Sequence, residues 1–483
     1  MKKPMEELIK RFLACEEKGR FFSLHVKGRV VWDYLRYPLF ESLLLRNLAR
    51  PVKPSNSAKH QFYVSYSVPL LARLKTSILE FAALSSYLVQ TAFRKSQKNN
   101  DIIVMNYDRK NLIDGKQVNI HFYPLIKCLT PEYSILLIDP SHYQEPVEEN
   151  YPCEVLRSNL LYHRARLLSR FVRFSGEENE VFHLIQKVLE DEFKVTFNIS
   201  KLARRFFAKD IVLSRLYGKI FDKVRPRLII HSDTGNAKGW IEAAHQRGIS
   251  VIDFQHSLMS PINILYRYPA GFEKLSTLSD HIFTFGEFWH DYYSVPARLS
   301  AVGFPFLEMM KQGVLEKKIA KMKSVVVISS MLSRERLEKI ALDLSRKLPD
   351  YCILYKLRFE EYNHWRENYS AEFQARENIV VIDNNDRSLY ELFAASRFQI
   401  GINSTALVEG LSFGLTTFIV RDGYYEEMKP LIERKAVFLV ETADEISEKI
   451  INNERPPFSV SCNQIFRDGS LTHVRQAVNL FFP

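Results

Sequence analysis

The sequence predicts an α/β protein of two doubly wound, Rossmann-like domains in tandem, facing a central cleft. Three observations predict it. From about residue 100, short apolar runs alternate with longer amphipathic segments. Several of the runs are apolar throughout, as strands covered on both faces must be. The alternation then begins again after residue 320, beyond a turn marked by Gly303 and Pro305. Strand and helix in strict alternation imply parallel sheets. The expected division is 1–305, a first Rossmann-like domain with helical N-terminal additions; 306–465, a second Rossmann-like domain; and 466–483, a helix that could cross back to the first domain.

The N-terminal stretch "MKKPMEELIKRFLACEEKGR" mixes acids with bases and lacks an apolar centre, so it does not read as a signal peptide. "LEFAALSSYLVQTAF" (Leu79–Phe93) is the most apolar helical segment, too short to span a bilayer. Arg73, Lys75, Arg94, Lys95 and Lys98 flank it. It reads as a buried domain helix, with an interfacial membrane helix as the alternative. "DIIVMN", "YSILLID", "RLIIHSD" and "ISVIDFQ" then read as strands, and Leu160–Phe174, Glu177–Phe193 and Ile199–Val224 as helices. "NAKGWIEAAHQRG" is a helix ended by Gly248. In the second half "SVVVIS", "YCILYK", "NIVVID", "FQIGIN" and "TTFIV" are the strands. Helices at Arg334–Lys347, around Leu389–Ala395 and from Thr405 separate them, and Leu471–Phe481 is the last helix.

Composition narrows the function. A chain of 483 residues with 46 % hydrophobic and 25 % charged residues is ordinary for a soluble globular protein of two or three domains. The net charge of +11 suits an anionic partner: a nucleotide, a phosphorylated glycan or an anionic membrane surface. The basic residues are spread out, without the aromatic-interleaved cluster of a nucleic-acid reader, which argues against nucleic acid. Five cysteines, Cys15, Cys128, Cys153, Cys352 and Cys462, are odd in number and far apart. A reduced cytoplasmic setting therefore fits better than a disulfide or zinc framework. Neither GxGxxG nor GxxxxGK[ST] occurs, which leaves dehydrogenase and P-loop readings weak.

The candidate chemistry sits where strands run out into turns, since open α/β sheets bind ligands at their strands' carboxyl ends. In "GINSTALVEGLSFG", Asn403, Ser404 and Thr405 lie at a strand end that becomes a helix N-terminus. That turn reads as an anion site or an ordinary helix cap. Glu409, one turn on, would accept hydrogen bonds from ribose hydroxyls or face water. In "YKLRFEEY", Lys356 and Arg358 share one face of a strand end. They suit phosphate oxygens, with solvation as the alternative. Ser329 and Ser330 end a third strand on the same edge, as ligands or caps.

In the first domain, "VIDFQHSLMSP" places Gln255 and His256 just past a strand. His256 reads as a general base, a donor to leaving-group charge, or a loop histidine holding a carbonyl. "HSDTGNAKGW" carries Asp233 and Asn236, the former a catalytic carboxylate or a helix cap. Asp108 in "MNYDRK" is a further candidate base.

Together these segments resemble bacterial surface-polysaccharide glycosyltransferases of the two-domain GT-B fold, notably capsule and lipopolysaccharide enzymes that use CMP-activated acidic sugars. A more distant likeness is to CDP-glycerol glycerophosphotransferases. The resemblance rests on Gln255-His256-Ser257, on Lys356-Leu357-Arg358-Phe359, and on Ser404-Thr405 with Glu409. "VKGRVVWDYLRYPLFESLL" (Val26–Leu45), with Gly28, Trp32 and Arg36, also resembles an opening found in such proteins. The family's Gln-His-Gly and Lys-x-His-Pro become Ser257 and Arg358-Phe359 here. Arginine keeps a phosphate contact but cannot readily deliver a proton.

The resemblance implies an inverting, metal-independent transferase at the cytoplasm or the cytoplasmic face of the inner membrane. It would need no cofactor, taking a nucleotide-sugar donor and a glycan or glycolipid acceptor. Asn384-Asn385-Asp386 is a poor substitute for a metal-binding DxD. Lys356, Arg358, Ser404, Thr405 and Glu409 would hold the nucleotide, with His256 or Asp233 as base. The rival reading is a catalytically degenerate scaffold that binds a glycan or assembles with a partner.

Overall fold

A computed structural model describes residues 5–48, 100–107, 110–113, 115–140, 150–457 and 460–482. Asp108 and the Leu79–Phe93 segment lie outside the described residues. Among the described residues no helix is long and apolar enough to cross a membrane.

The first sheet holds seven strands: β1 (Ile102–Met105), β2 (Ile135–Asp139), β3 (Glu154–Arg157), β4 (Leu228–His231), β5 (Ser250–Phe254), β6 (His281–Thr284) and β7 (Arg298–Ala301). Their spatial order is β3-β2-β1-β4-β5-β6-β7, with every pair parallel. The second sheet holds β8 (Ser324–Ile328), β9 (Cys352–Lys356), β10 (Ile379–Ile382), β11 (Phe398–Gly401), β12 (Thr416–Val420) and β13 (Phe438–Val440). Its order is β10-β9-β8-β11-β12-β13, also parallel throughout. Both sheets are therefore doubly wound. The strand order reverses between β1 and β4 in the first and between β8 and β11 in the second, where such sheets open a crevice.

The central strands β1, β2, β4 and β8 are buried at every position. Their continuous apolar runs follow from that. Strands β3, β6 and β7 lack such runs; they and the three-residue apolar β13 go beyond the sequence reading, in which "TTFIV" ended the series. The expected helix Ile199–Val224 is two helices, Ile199–Arg205 and Phe207–Val224, separated at Phe206. The Arg334–Lys347 helix has the expected bounds.

Two N-terminal helices, Met5–Lys18 and Val31–Leu48, pack as a separate apolar layer with residues of 182–211. A hairpin of His25–Val26 with Arg29–Val30 leads into the second helix. Its turn holds Lys27 and Gly28 at positive φ (50° and 72°), the geometry a tight two-residue hairpin requires. This layer also reaches the second domain. The Met5 and Glu6 amides donate to the Glu426 carboxylate at 3.2 and 2.9 Å, and Lys429 pairs with Glu6 at 2.5 Å. At the other end, the helix Ser470–Asn479 returns to the first domain, where Tyr133 donates to Asn479 at 2.8 Å and Arg475 pairs with Glu132.

Candidate functional site

The crevice of the first sheet is a solvent-connected cavity at the ends of β1, β2 and β4. Asn106 just past β1, Ser158 just before one flanking helix, Tyr162 and Tyr217 on the flanking helices, His231 at the end of β4, and Asp233, Asn236 and Trp240 beyond it supply its polar and aromatic lining. The Asp233 carboxylate accepts from Asn236 Nδ2 at 3.0 Å. Burial pushes the Asp233 carboxyl above its usual range, against the pull of Asn236. The amides of Gly235 and Asn236 in the following turn also pull its carboxyl down, without a full side-chain cap, and the helix Lys238–His245 starts at Ala237 without one.

His231 is held neutral. Its Nδ1 accepts the Asp233 amide at 3.2 Å, and its Nε2 lies 2.8 Å from Ser279 Oγ, where the remaining N–H can donate. Burial, with His256 and Lys238 as further positive influences, lowers its pKa to about 3. Behind it lies buried Asp253, whose carboxylate accepts from the Thr234 hydroxyl and from Tyr266 OH at 2.7 Å. Burial pushes Asp253 up to about 7. Asp253 thus fastens the turn that carries Asp233 to the strand that carries His256. His256 sits half-buried past β5, its ring 5.8 Å edge-on from Tyr107 at the end of β1.

Gln255 takes a different part from the one expected. Its buried side chain accepts from the Phe285 amide at 2.9 Å and donates to the Ser257 carbonyl at 3.0 Å. It braces the loop backbone and does not face the cleft.

In the second domain the expected nucleotide residues divide. Lys356 leans outward: its ammonium donates to Tyr362 OH (2.6 Å), the Asn384 carbonyl (2.5 Å) and Asn385 Oδ1 (3.2 Å). Asn384 and Asn385 follow β10, on the far side from β11, so Lys356 does not join the Ser404 turn. Burial lowers its pKa to about 8. Glu409 is buried and accepts from Tyr390 OH at 2.6 Å, so it faces neither water nor an open ribose position. The Ser329 hydroxyl bonds Glu361 and accepts the Arg358 amide at 2.9 Å, which makes it a brace for the turn after β9. Ser330 is buried at the start of the Met331–Ser333 turn.

Arg358 stands past the end of β9, and Asn403 and Ser404 stand past the end of β11. Ser404 Oγ caps the helix Thr405–Leu411 by accepting the Ala406 amide at 3.2 Å, with Thr405 half-buried as its first residue. Asn403 donates to Glu427 at 2.9 Å. Burial raises the Glu427 carboxyl, while Asn403 and the exposed Arg358 pull it down. Glu427 thus accepts from the turn after β11 and lies within electrostatic range of the cation after β9.

The N-terminal helix Val31–Leu48 lies within electrostatic range of both edges. Burial raises the Tyr37 phenol, and the carboxylates of Glu41, Asp233 and Glu427 raise it further, so one side chain lies within electrostatic range of both domains. The ring also rests on the Asp233 turn: a side chain at Gly235 would meet Tyr37 at 3.5 Å. Two buried ion pairs set that helix. Asp33 pairs with Lys238 at 2.8 Å and accepts from Tyr268 (2.8 Å) and Thr277 (2.6 Å). Arg36 grips Glu16 at 2.5 Å and donates to the carbonyls of Ile264 and Arg267, and Trp32 donates to Glu16 at 2.9 Å.

Sequence reasoning missed Asn106, Tyr162, Trp240, Tyr37 and Glu427. Asn106 and Glu427 carry the same strand-end signal as the residues it found: "IIVMN" ends on one, and "TTFIV" runs into the other within eight residues. Tyr37 carries no local signal, because distant ion pairs place it.

No family model matches the sequence, and no curated protein does. Among solved structures the chain is similar to UDP-GlcNAc 2-epimerase from Methanocaldococcus jannaschii, at 13 % identity and a TM-score of 0.48 over 79 % of this chain and 99 % of that one. It is likewise similar to UDP-GlcNAc 2-epimerase from Neisseria meningitidis bound to UDP-GlcNAc (13 %, 0.48, 78 % and 98 %). A third is Arabidopsis thaliana UGT89C1 (12 %, 0.44, 79 % and 93 %).

Proposed function

We propose that the chain is a glycosyltransferase that moves a sugar from a nucleotide-activated donor, a CMP-sugar by preference, to a surface-polysaccharide or lipopolysaccharide acceptor. The observation that carries this reading is the pair of strand-end edges within electrostatic range of Tyr37: one bears Asp233 and, beyond β5, the imidazole of His256, and the other bears Glu427, itself within range of the Arg358 cation. The second domain would hold the nucleotide, with Arg358 and the Ser404–Thr405 turn on its phosphate. The first would hold the acceptor. Asp233 or His256 takes the proton of the acceptor hydroxyl, and the oxygen attacks the anomeric carbon from the face opposite the phosphate. The bond to the phosphate oxygen breaks, and the nucleotide leaves with the electron pair. One displacement inverts the anomeric centre. Arg358 offsets the charge on the leaving phosphate without giving a proton. Burial of Asp233 supports it as base, since a raised carboxyl pKa is better matched to proton transfer near neutrality.

The test is a thermal-shift panel of CMP, CDP, UDP and GDP, followed by transfer from the CMP-sugar with and without EDTA. A ligand bound only by the native state raises its stability. Stabilisation by a cytidine nucleotide, lost in Arg358→Ala and largely kept in Lys356→Met, is the expected result. Transfer should persist in EDTA and fall at least about a hundredfold in Asp233→Asn or His256→Ala, whichever is the base. Flat responses to all four nucleotides overturn the reading and favour a degenerate scaffold that binds a glycan or a partner protein.

A further inference from the structure

The two domains are held together in two chemically different ways. Where the chain crosses between them, at residues 302–306 and again at 465–466, the joint is apolar. Val302, Phe304, Phe306, Ile465 and Phe466 are all buried there. The helix Pro305–Glu316 packs on Phe122–Leu129 of the first domain and on Leu389–Ala395 of the second, and residues of all three share one apolar cluster. Phe306 meets the Tyr390 ring at 6.0 Å, and Phe304 stacks on Phe466 at 6.3 Å. Opening this joint would expose apolar surface to water, which the hydrophobic effect opposes.

The other attachment is polar, and residues 424–434 of the second domain make it. The Glu426 carboxylate accepts the Met5 and Glu6 amides at 3.2 and 2.9 Å. A carboxylate there meets N–H groups left over at the start of the helix Met5–Lys18 and the positive end of its dipole. Lys429 pairs with Glu6, and Arg434 pairs with Asp291 at 3.1 Å. Lys10 and Lys429 hold the Glu6 carboxyl down at about 2, so it is charged at any working pH. The Glu6 and Lys429 side chains are 32 % and 29 % exposed, so water and salt reach the pair. Of the described second-domain residues, Tyr424 alone packs against the apolar cluster of the N-terminal layer. That layer itself is anchored in the first domain, through Asp33 with Lys238, Arg29 with Glu242, and Arg36 with the Ile264 carbonyl. Exposed ionic contacts compete with water and weaken in salt, whereas the apolar joint does not.

From the Glu426 carboxylate seated on the first amides of Met5–Lys18, beside the Lys429–Glu6 pair, we infer that this contact is a salt-sensitive clasp between the domains. It holds the second domain against the N-terminal layer, and its release lets the domains part about the apolar joint. The clasp bears on the strand-end edges through its neighbour in sequence. Glu427 accepts from Asn403 at the turn after β11 and lies within electrostatic range of Tyr37, which is also in range of Asp233. Release of the clasp draws Glu427 away from Tyr37 and so widens the space between the two edges. This holds whatever reaction the edges support.

Amide hydrogen exchange and small-angle X-ray scattering of the full chain test it. Lys429→Glu sets a new carboxylate beside Glu6 and Glu433. Exchange across residues 5–12 and 422–431 should rise at least about tenfold, and the radius of gyration should increase. Protection in β1, β4 and β8 should stay as in the wild type, which shows that the variant is folded. Glu6→Lys combined with Lys429→Glu restores opposite charges and should bring both readouts back toward the wild type. Salt at about 1 M cuts the screening length to about 3 Å and should raise exchange in the wild type across the same two stretches. Wild-type exchange and scattering in Lys429→Glu overturn the inference. Faster exchange with unchanged scattering also overturns it, because the helix end would then fray without moving the domains. So does a double reversal no nearer the wild type than the single one, or a wild type indifferent to salt.

Discussion

Asp253 shows how one side chain can govern a site without touching a ligand. It accepts hydroxyls from Thr234 and Tyr266 and lies 3.9 Å from His231 Nδ1, all inside the core. Burial holds its pKa at about 7, against 3.8 for an ordinary aspartate. Between those values the folded chain keeps a proton that the unfolded chain has released. The stability gained by the protonated form is therefore complete below about pH 4 and is lost as pH rises through 7. Wild-type protein should lose up to about 1.4 kcal/mol per pH unit from this group across that window. Asp253→Asn should flatten the slope, because the amide cannot titrate. Urea denaturation of both proteins at pH 5 and pH 7 reads the difference, which also cancels the other raised carboxyls, Asp210, Asp233 and Glu427. Equal slopes would mean that Asp253 is ionised throughout.

The helix Val31–Leu48 is the element on which the cleft depends, and its position is fixed by charge buried away from water. The Glu16 and Arg36 side chains are 1 % and 3 % exposed. Burial raises the Glu16 carboxyl while Arg36 pulls it down. Breaking such a pair leaves an uncompensated charge in the core, so Glu16→Gln should cost about 3–5 kcal/mol. The double replacement Glu16→Met with Arg36→Met removes both charges and should cost clearly less. Chemical denaturation of the two variants distinguishes them, and equal losses would show that the carbonyls of Ile264 and Arg267 carry the arginine unaided. This element also marks where local sequence reading stops. "VKGRVVWDYLRYPLFESLL" could be singled out with Gly28, Trp32 and Arg36. Its role could not, since the partners of Arg36 and Asp33 lie at Glu16, Lys238 and residues 264–277. Strands were legible where burial on both faces leaves an unbroken apolar run, as in β1, β2 and β8. The short edge strands β3 and β7 were not, because exposure admits polar residues and erases the pattern, and β13 has only three residues, too few to show one.

At the scale of the molecule, two doubly wound sheets follow from strand-helix alternation alone, and so do the strand ends where Asp233, Arg358 and Ser404 stand. Which of those side chains converge does not. Lys356 and Arg358 share a strand face in sequence, yet Lys356 binds the loop at Asn384 while Arg358 is exposed and within electrostatic range of Glu427. The C-terminal return is another long-range feature, and it hinges on one glycine. Gly286 has φ −168°, an extended backbone open to any residue, so its constraint is space. A Cβ there would lie 2.1 Å from the Gln464 carbonyl oxygen and 2.6 Å from that of Ile465. Around this contact Trp289 Nε1 donates to Ile465 O at 2.9 Å, the Arg467 amide donates to Phe285 O at 2.7 Å, and Arg467 Nη1 donates to Ala301 O at 2.9 Å. Glu308 then caps the last helix through the amides of Gly469 and Ser470, at 3.1 and 2.8 Å. Backbone oxygens cannot swing aside as a side-chain tip can, so Gly286→Ala must push the 464–467 segment off the first domain. We expect a loss of about 1–3 kcal/mol, with faster amide exchange across residues 462–482 and unchanged protection in β1, β4 and β8. Gly176→Ala, where nothing lies within 4 Å, should leave both unchanged. Native exchange across 462–482 in Gly286→Ala would mean that the segment shifts as a unit without letting go.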